Sequence, residues 1–117
     1  MKNILLFLCI LVTNTVFSQI AQTQERYWNH EGDPEFVYYE LVDTITNQVL
    51  EKGTFRYKKR DGEWIRYYPD GVIQTRVFFV DGKKFGTWKF YDETGKLIMV
   101  KKYKNDELLI AEQYRYY

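Results

Sequence analysis

Residues 79–95 read FVDGKKFGTWKFYDETG, and residues 55–71, placed 24 positions earlier, read FRYKKRDGEWIRYYPDG. Phenylalanine, glycine, tryptophan, tyrosine and glycine recur in the same five places. The matched pairs are Phe55 and Phe79, Gly62 and Gly86, Trp64 and Trp88, Tyr67 and Tyr91, and Gly71 and Gly95. Repetition at a fixed period indicates one structural unit that packs against its own neighbours. These two stretches therefore decide the fold.

Weaker copies flank the two clear units. Counting one further period onward puts Tyr103 at the position of Phe79, whereas Glu112 replaces the tryptophan. Counting one period backward puts Asn47 at the position of Gly71, and Glu40 replaces Trp64. Terminal repeats commonly differ from central ones because they cap an otherwise open stack. We therefore assign residues 36–117 to one repeat domain.

Turn signals separate short segments rich in β-branched and aromatic residues, and no segment keeps an apolar helical period. An Asp-Gly pair favours a tight hairpin turn because glycine accepts the positive φ that this turn requires. The turn signals are Thr46-Asn47, Asp61-Gly62, Asp70-Gly71, Asp81-Gly82, Thr94-Gly95 and Asn105-Asp106. The pattern predicts an all-β fold: an antiparallel, single-layer sheet of about three and a half successive hairpins. We expect the second glycine of each unit, such as Gly86 after Gly82, to avoid crowding the adjacent strand.

Aromatic side chains dominate the repeated positions. Strand geometry places alternate residues on opposite faces, so both faces carry aromatic and basic groups. The candidate residues are Trp64, Tyr67, Phe79, Trp88, Tyr91 and Tyr103. One interpretation is a structural ladder of rings between repeats, covered by the stems of Lys and Arg. The other is an aromatic platform that binds a partner.

The first eighteen residues have the layout of a secretory signal peptide. Lys2 supplies a positive charge, Ile4 to Val12 form an apolar run, and Ser18 precedes the predicted cleavage site. The run is shorter than the roughly 20 residues that span a bilayer. Cys9 lies inside the run, where it cannot be the lipidated first residue of a mature chain. We therefore predict an exported protein, cleaved near Ser18, in the periplasm, at the cell surface or outside the cell.

Cleavage would leave a neutral chain without cysteine. Lys2 is the only charged residue of the signal, so 16 of the 17 basic side chains remain to balance 16 acidic ones. A nucleic-acid-binding protein typically has a basic excess, so we expect no nucleic-acid partner. Residues 19–35 are polar and irregular, and we predict a flexible lead-in there.

The sequence offers little for catalysis. His30 is the only histidine, and Ser18 and Cys9, the only serine and cysteine, belong to the predicted signal. A calcium loop requires clustered acidic residues at alternate positions, which Asp92 and Glu93 alone do not supply. We expect a protein that is not an enzyme, with no catalytic residue, metal site or cofactor.

The motif in residues 79–95 resembles the MORN repeat, and more closely the variant found in bacterial antitoxin-like MORN-repeat proteins. The resemblance covers residues 53–104 well. It implies an elongated sheet of hairpins and a role in protein or membrane association. An antitoxin role conflicts with the predicted export signal, because such antitoxins act inside the cell, so we do not adopt it.

We therefore expect a non-catalytic exported binding or scaffold module that acts on a protein partner. The alternative is recognition of envelope glycans or lipid head groups by the aromatic face and by basic turns such as Lys58-Lys59-Arg60. An open sheet also leaves edge strands that can accept a partner strand. The sequence leaves the oligomeric state open.

Overall fold

A computed structural model describes residues 22–116, which fold into one antiparallel sheet. The predicted signal peptide, residues 1–18, lies outside the described residues. The strands are β1 (Thr23–His30), β2 (Asp33–Asp43), β3 (Val49–Arg56), β4 (Lys59–Tyr67), β5 (Ile73–Val80), β6 (Lys83–Lys84), β7 (Gly86–Tyr91), β8 (Leu97–Lys104) and β9 (Glu107–Gln113).

Apart from the short β6, each strand pairs with the next long strand along the chain. The order is β1-β2-β3-β4-β5-β7-β8-β9, and the short β6 pairs with β5 beside β7. The sheet remains open, with β1 and β9 as its two edges, and the described residues contain no helix that could cross a membrane. The prediction of an all-β antiparallel sheet of successive hairpins is confirmed.

The backbone conformation repeats with the sequence. Residues with left-handed φ recur at the repeat period at Asn47 (59°), Gly71 (94°) and Gly95 (89°). A second series forms the tight turns at the other ends of the hairpins. It comprises Tyr57-Lys58, Asp81-Gly82 and Asn105-Asp106. The repeated conformation thus extends beyond the two units with clear sequence repeats.

The prediction of a hairpin turn at Asp61-Gly62 is wrong, because this pair lies inside β4. The turn between β3 and β4 is made by Tyr57 and Lys58, whose φ angles are 50° and 65°. Gly62 has φ of 78° beside a shift in the register of β3 and β4. A positive φ at such a shift is typical of a β-bulge, so the glycine bends the strand.

The predicted flexible lead-in is also wrong for the described part of residues 19–35. Residues 23–30 form β1, and β2 begins at Asp33. Tyr27 lies opposite Tyr39, and Trp28 lies opposite Tyr38. Cross-strand aromatic pairs stabilise a sheet by about 0.2–1 kcal/mol each, which accounts for an ordered strand in a polar segment. The sheet therefore begins before residue 36.

The hydrophobic core is a thin cluster on one face of the sheet. Its buried members are Tyr39, Trp64, Val77 and Phe79, and Leu41, Phe55 and Trp88 pack against them. We call the face that carries these rings the ladder face. Burial raises the pKa of the Tyr39 hydroxyl, as expected for a group removed from water.

Candidate functional site

The candidate aromatic residues form a row across the ladder face. Phe55 lies 5.0 Å from Trp64, and in the next unit Phe79 lies 5.2 Å from Trp88, measured between ring centroids. Both contacts are edge-to-face, a favoured geometry for aromatic pairs. Trp88 then reaches Tyr103 at 4.9 Å. The repeat therefore builds a continuous row of rings.

Each central tryptophan is fixed by its indole N–H. Trp64 Nε1 donates to the carbonyl of Thr54 at 3.1 Å, and Trp88 Nε1 donates to the carbonyl of Phe78 at 3.0 Å. Donor and acceptor are both displaced by one repeat between the two units. Because a buried N–H requires a partner, these bonds satisfy the indole donors and fix the position of each ring.

Tyr67 and Tyr91 do not belong to the row, although the sequence analysis grouped them with the tryptophans. Alternation along the strand puts Tyr67 and Tyr91, each three residues after its tryptophan, on the face opposite the row. The Lys52 ammonium lies 5.9 Å from the Tyr67 ring centroid. Four of the six candidates are thus brought together, and these two are not.

Most of the row is covered, which bears on its use as a platform. Trp64 is 2% exposed and Phe79 is 8% exposed, whereas Trp88 and Tyr103 are half-buried. The guanidinium of Arg60 lies over Trp64 at 4.5 Å from the ring centroid. Lys84, the residue that follows Arg60 by one repeat, lies 5.2 Å from Trp88. A basic side chain thus lies over the tryptophan of each unit.

An ion-pair cluster lies beside the first of these cations. The Glu51 carboxylate contacts Arg66 at 3.1 Å and Arg60 at 3.8 Å, and the Glu51 side chain is only 13% exposed. A groove of about 220 Å³ runs from this cluster between Trp64 and Trp88. The cluster holds Arg60 over the ring, and because the Arg60 and Arg66 side chains are 47% and 58% exposed, solvent screens these ion pairs.

The glycines act differently from the sequence-based expectation. A Cβ at Gly86 would meet no atom closer than 3.9 Å, so this residue does not relieve crowding, and its φ of 73° is what favours glycine. Close approach occurs instead at Gly53, where a Cβ would lie 2.1 Å from the Trp64 ring. Sequence reasoning missed Gly53 because residue 77, its repeat equivalent, is valine.

The edge strand β9 carries the most exposed apolar segment of a strand. Leu108, Leu109 and Ile110 are 50%, 55% and 44% exposed, and all seven residues of β9 are exposed. The strand pairs with β8 on one side only. It therefore presents apolar side chains together with unpaired backbone groups.

The described residues offer no metal centre. They contain no group of three or more His, Cys, Asp or Glu side chains placed to hold an ion. The single histidine, His30, is exposed, and its Nδ1 lies 2.9 Å from the Glu31 carbonyl. What these residues build is a ring-lined face and an apolar edge.

This architecture defines a class: an open sheet of hairpin repeats with one tryptophan row. Residues 60–81 and 86–105 match the MORN repeat variant model, so the chain carries MORN-variant repeats. No curated protein and no solved structure matches the chain.

Proposed function

We propose that this protein is an exported, non-catalytic binding module that captures a protein partner by adding a strand to β9. The exposed apolar run Leu108-Leu109-Ile110 on an unpaired edge carries this proposal. An exposed hydrophobic edge strand is a template for another chain: its main-chain groups supply affinity, and its side chains supply specificity.

The two edges of the sheet differ in a way that favours β9. β1 also carries exposed rings, but Tyr27 packs on Tyr39 at 5.2 Å and Trp28 on Tyr38 at 5.6 Å, between centroids. The rest of β1 is polar, and charged or polar edge residues discourage pairing. The acidic residues of β9, Glu107 and Glu112, lie towards its ends and leave an apolar centre.

Export is proposed from residues 1–18 alone. Their charge, apolar run and small residue at Ser18 are typical of a cleaved signal. A binding module without cysteine suits an oxidising compartment, since no thiol is available to oxidise. The proposed mature chain is therefore residues 19–117.

The glycan or lipid alternative receives less support from the ladder face. A platform needs exposed ring faces, and Trp64 and Phe79 are buried. In the basic turn, Lys59 contacts Asp81 at 3.6 Å, and Arg60 covers Trp64. Since these groups already have partners within the chain, a protein ligand is the first proposal.

The test is a pull-down with tagged residues 19–117 from the envelope fraction of the source organism, followed by mass spectrometry. We expect one abundant protein that is retained by the wild type and lost with Ile110→Lys, because a charge in the centre of β9 opposes strand pairing. The matched control is Ile45→Lys, at an apolar residue that is 69% exposed in a turn.

Three outcomes are informative. Loss of the partner from Ile110→Lys alone supports strand addition at β9. Equal capture by both variants would place the binding surface elsewhere, and a blank with all three proteins would contradict a protein-binding role.

A further inference from the structure

The face opposite the ladder face carries a groove of about 260 Å³ near the β1 edge. One wall is made by Trp28 and Tyr38. These residues are directly opposite on β1 and β2, and the next strand places the small Thr54 beside Tyr38. The step from two large rings to a small side chain opens the groove, and Ile65, 6% exposed, lies along it.

The rings of this wall differ from those of the ladder face in their availability. Trp28 and Tyr38 stack with their planes 19° apart, and Trp28 is 44% exposed. Trp64 and Trp88 donate their indole N–H to backbone carbonyls. Among the described residues, the indole N–H of Trp28 has no acceptor. Within the described part of the chain, this residue of the groove thus has an indole N–H available to a ligand.

Polar groups of both signs line the same groove. Glu40 and Lys52 lie opposite each other on β2 and β3. Glu63 lies farther along, and its carboxylate is 4.0 Å from Arg76 Nε, a distance at the limit of an ion pair. The groove thus combines acceptors, a donor and exposed aromatic surface.

This combination discriminates between classes of ligand. Glu63 lies at ion-pair distance from Arg76, and Glu40 lies opposite Lys52, so the charges of the groove are matched and an ionic ligand of either sign gains no net attraction. A neutral ring with many hydroxyl groups can still use these polar groups, since each hydroxyl both donates and accepts. Its apolar C–H face can cover the exposed rings, as amphipathic aromatic side chains permit.

We propose that this groove binds one unit of a neutral oligosaccharide. The sugar ring lies against Trp28 and Tyr38, and its hydroxyl groups donate to Glu40 and Glu63 and accept from Lys52. The volume is below the roughly 300–1,000 Å³ of sites for drug-sized ligands, so it suits a single sugar unit. The site lies on a face of the sheet at the β1 end, and its occupation is independent of strand addition at β9.

The experiment uses residues 19–117 labelled at the indole nitrogens and followed by NMR during titration with two soluble tetramers, of glucose and of N-acetylglucosamine. At least one tetramer is expected to shift the Trp28 indole resonance in a saturable manner and to leave those of Trp64 and Trp88 in place. Tetralysine is the cationic comparison.

Two variants test the residues. Trp28→Ala, followed through backbone amides of β3, and Glu40→Gln, which keeps the rings, should each weaken sugar binding. A loss of about tenfold or more for Trp28→Ala is typical of a central aromatic anchor. Tyr57→Ala, at a turn residue 65% exposed, is the control and should bind as the wild type does.

The proposal is overturned if neither tetramer shifts the Trp28 resonance, whether or not tetralysine shifts it. Undiminished sugar binding by Trp28→Ala and Glu40→Gln would also overturn it. Unchanged Trp64 and Trp88 resonances in Glu40→Gln establish that its sheet is intact, so a loss of binding reports on the groove.

Discussion

The Trp64 and Trp88 units share a motif, yet they bury their tryptophans to different depths. Trp64 lies against Gly53 and is 2% exposed. Trp88 is half-buried, and Val77 stands where Gly53 stands in the first unit. A Cβ at the glycine would overlap the Trp64 ring. Gly53, outside the recognisable motif, therefore lets the Trp64 ring lie close against β3.

The cations above the rings differ in the same sense. Arg60 lies 4.5 Å from Trp64 and is held by Glu51 at 3.8 Å. Lys84 lies 5.2 Å from Trp88, and no acidic side chain among residues 22–116 forms an ion pair with its ammonium. A planar guanidinium stacks on a ring better than an ammonium does. The first unit is therefore closed from above and below, and the second is more open.

The largest difference should appear when each tryptophan is removed. We expect Trp64→Ala to destabilise the fold by about 3–5 kcal/mol, as for a fully buried large ring. Trp88→Ala should cost about 1–3 kcal/mol, because its ring is partly in water already. Urea unfolding measures both, and a larger loss for Trp88→Ala would reverse the assignment of the two units.

Gly53→Ala tests the close packing of the Trp64 ring against Gly53. The new Cβ would meet the Trp64 ring, so we expect a loss of about 1–3 kcal/mol, the range for an overpacked core. In a Trp64→Leu background the loss should shrink, since the clash involves the indole itself. An equal loss in both backgrounds would show that the glycine serves the backbone and not the ring.

The cations above the two tryptophan rings should contribute less to stability. Arg60→Met keeps the aliphatic stem and removes the charge, and we expect a loss of about 0.5–1 kcal/mol from the cation–π contact. Lys84→Met should lose less stability, because the Trp88 ring beneath Lys84 is more exposed to solvent. The two variants are compared by thermal unfolding at low and high salt. Equal losses of stability would show that Arg60 and Lys84 contribute alike.

The smallest effect concerns the turn after β7. Asp92 Oδ1 accepts from Thr94 Oγ1 at 2.6 Å and from the amides of Thr94 and Lys96. The Thr94 hydroxyl bond, followed by the Lys96 amide bond, lowers the pKa of Asp92. The stabilisation is present above the ordinary aspartate pKa and is lost as pH falls through the lowered value. The equivalent residue of the first unit is Tyr68, which has no carboxylate to accept these bonds.

Asp92→Asn should therefore be less stable than the wild type at neutral pH, and the gap should close in acid. Thermal unfolding across an acid series measures it. A gap that stays constant with pH would mean that the carboxylate charge does not contribute.

The sequence predicted the sheet well where its signals are local and repeated. The regular spacing of Gly71 and Gly95 corresponds to a repeated left-handed backbone, and the row through Trp64, Phe79, Trp88 and Tyr103 follows from the same period. Repetition made these residues visible, because a conformation required in each unit favours the same residue type in each unit.

Features without a local sequence signal escaped prediction. β1 appeared to be a flexible segment because both of its faces are largely exposed, which removes the alternation of apolar and polar residues. Tyr57 and Lys58 adopt a left-handed turn without glycine, so no local signal marked it.

Hydrogen exchange at the three indole N–H groups tests most directly the difference between the two units. We predict fastest exchange at Trp28, whose N–H has no acceptor among residues 22–116, slower exchange at Trp88, and slowest exchange at Trp64, which is buried beneath Arg60. Exchange at Trp64 as fast as at Trp28, or faster than at Trp88, would contradict a sheet whose stability rests on one buried tryptophan and one partly open one.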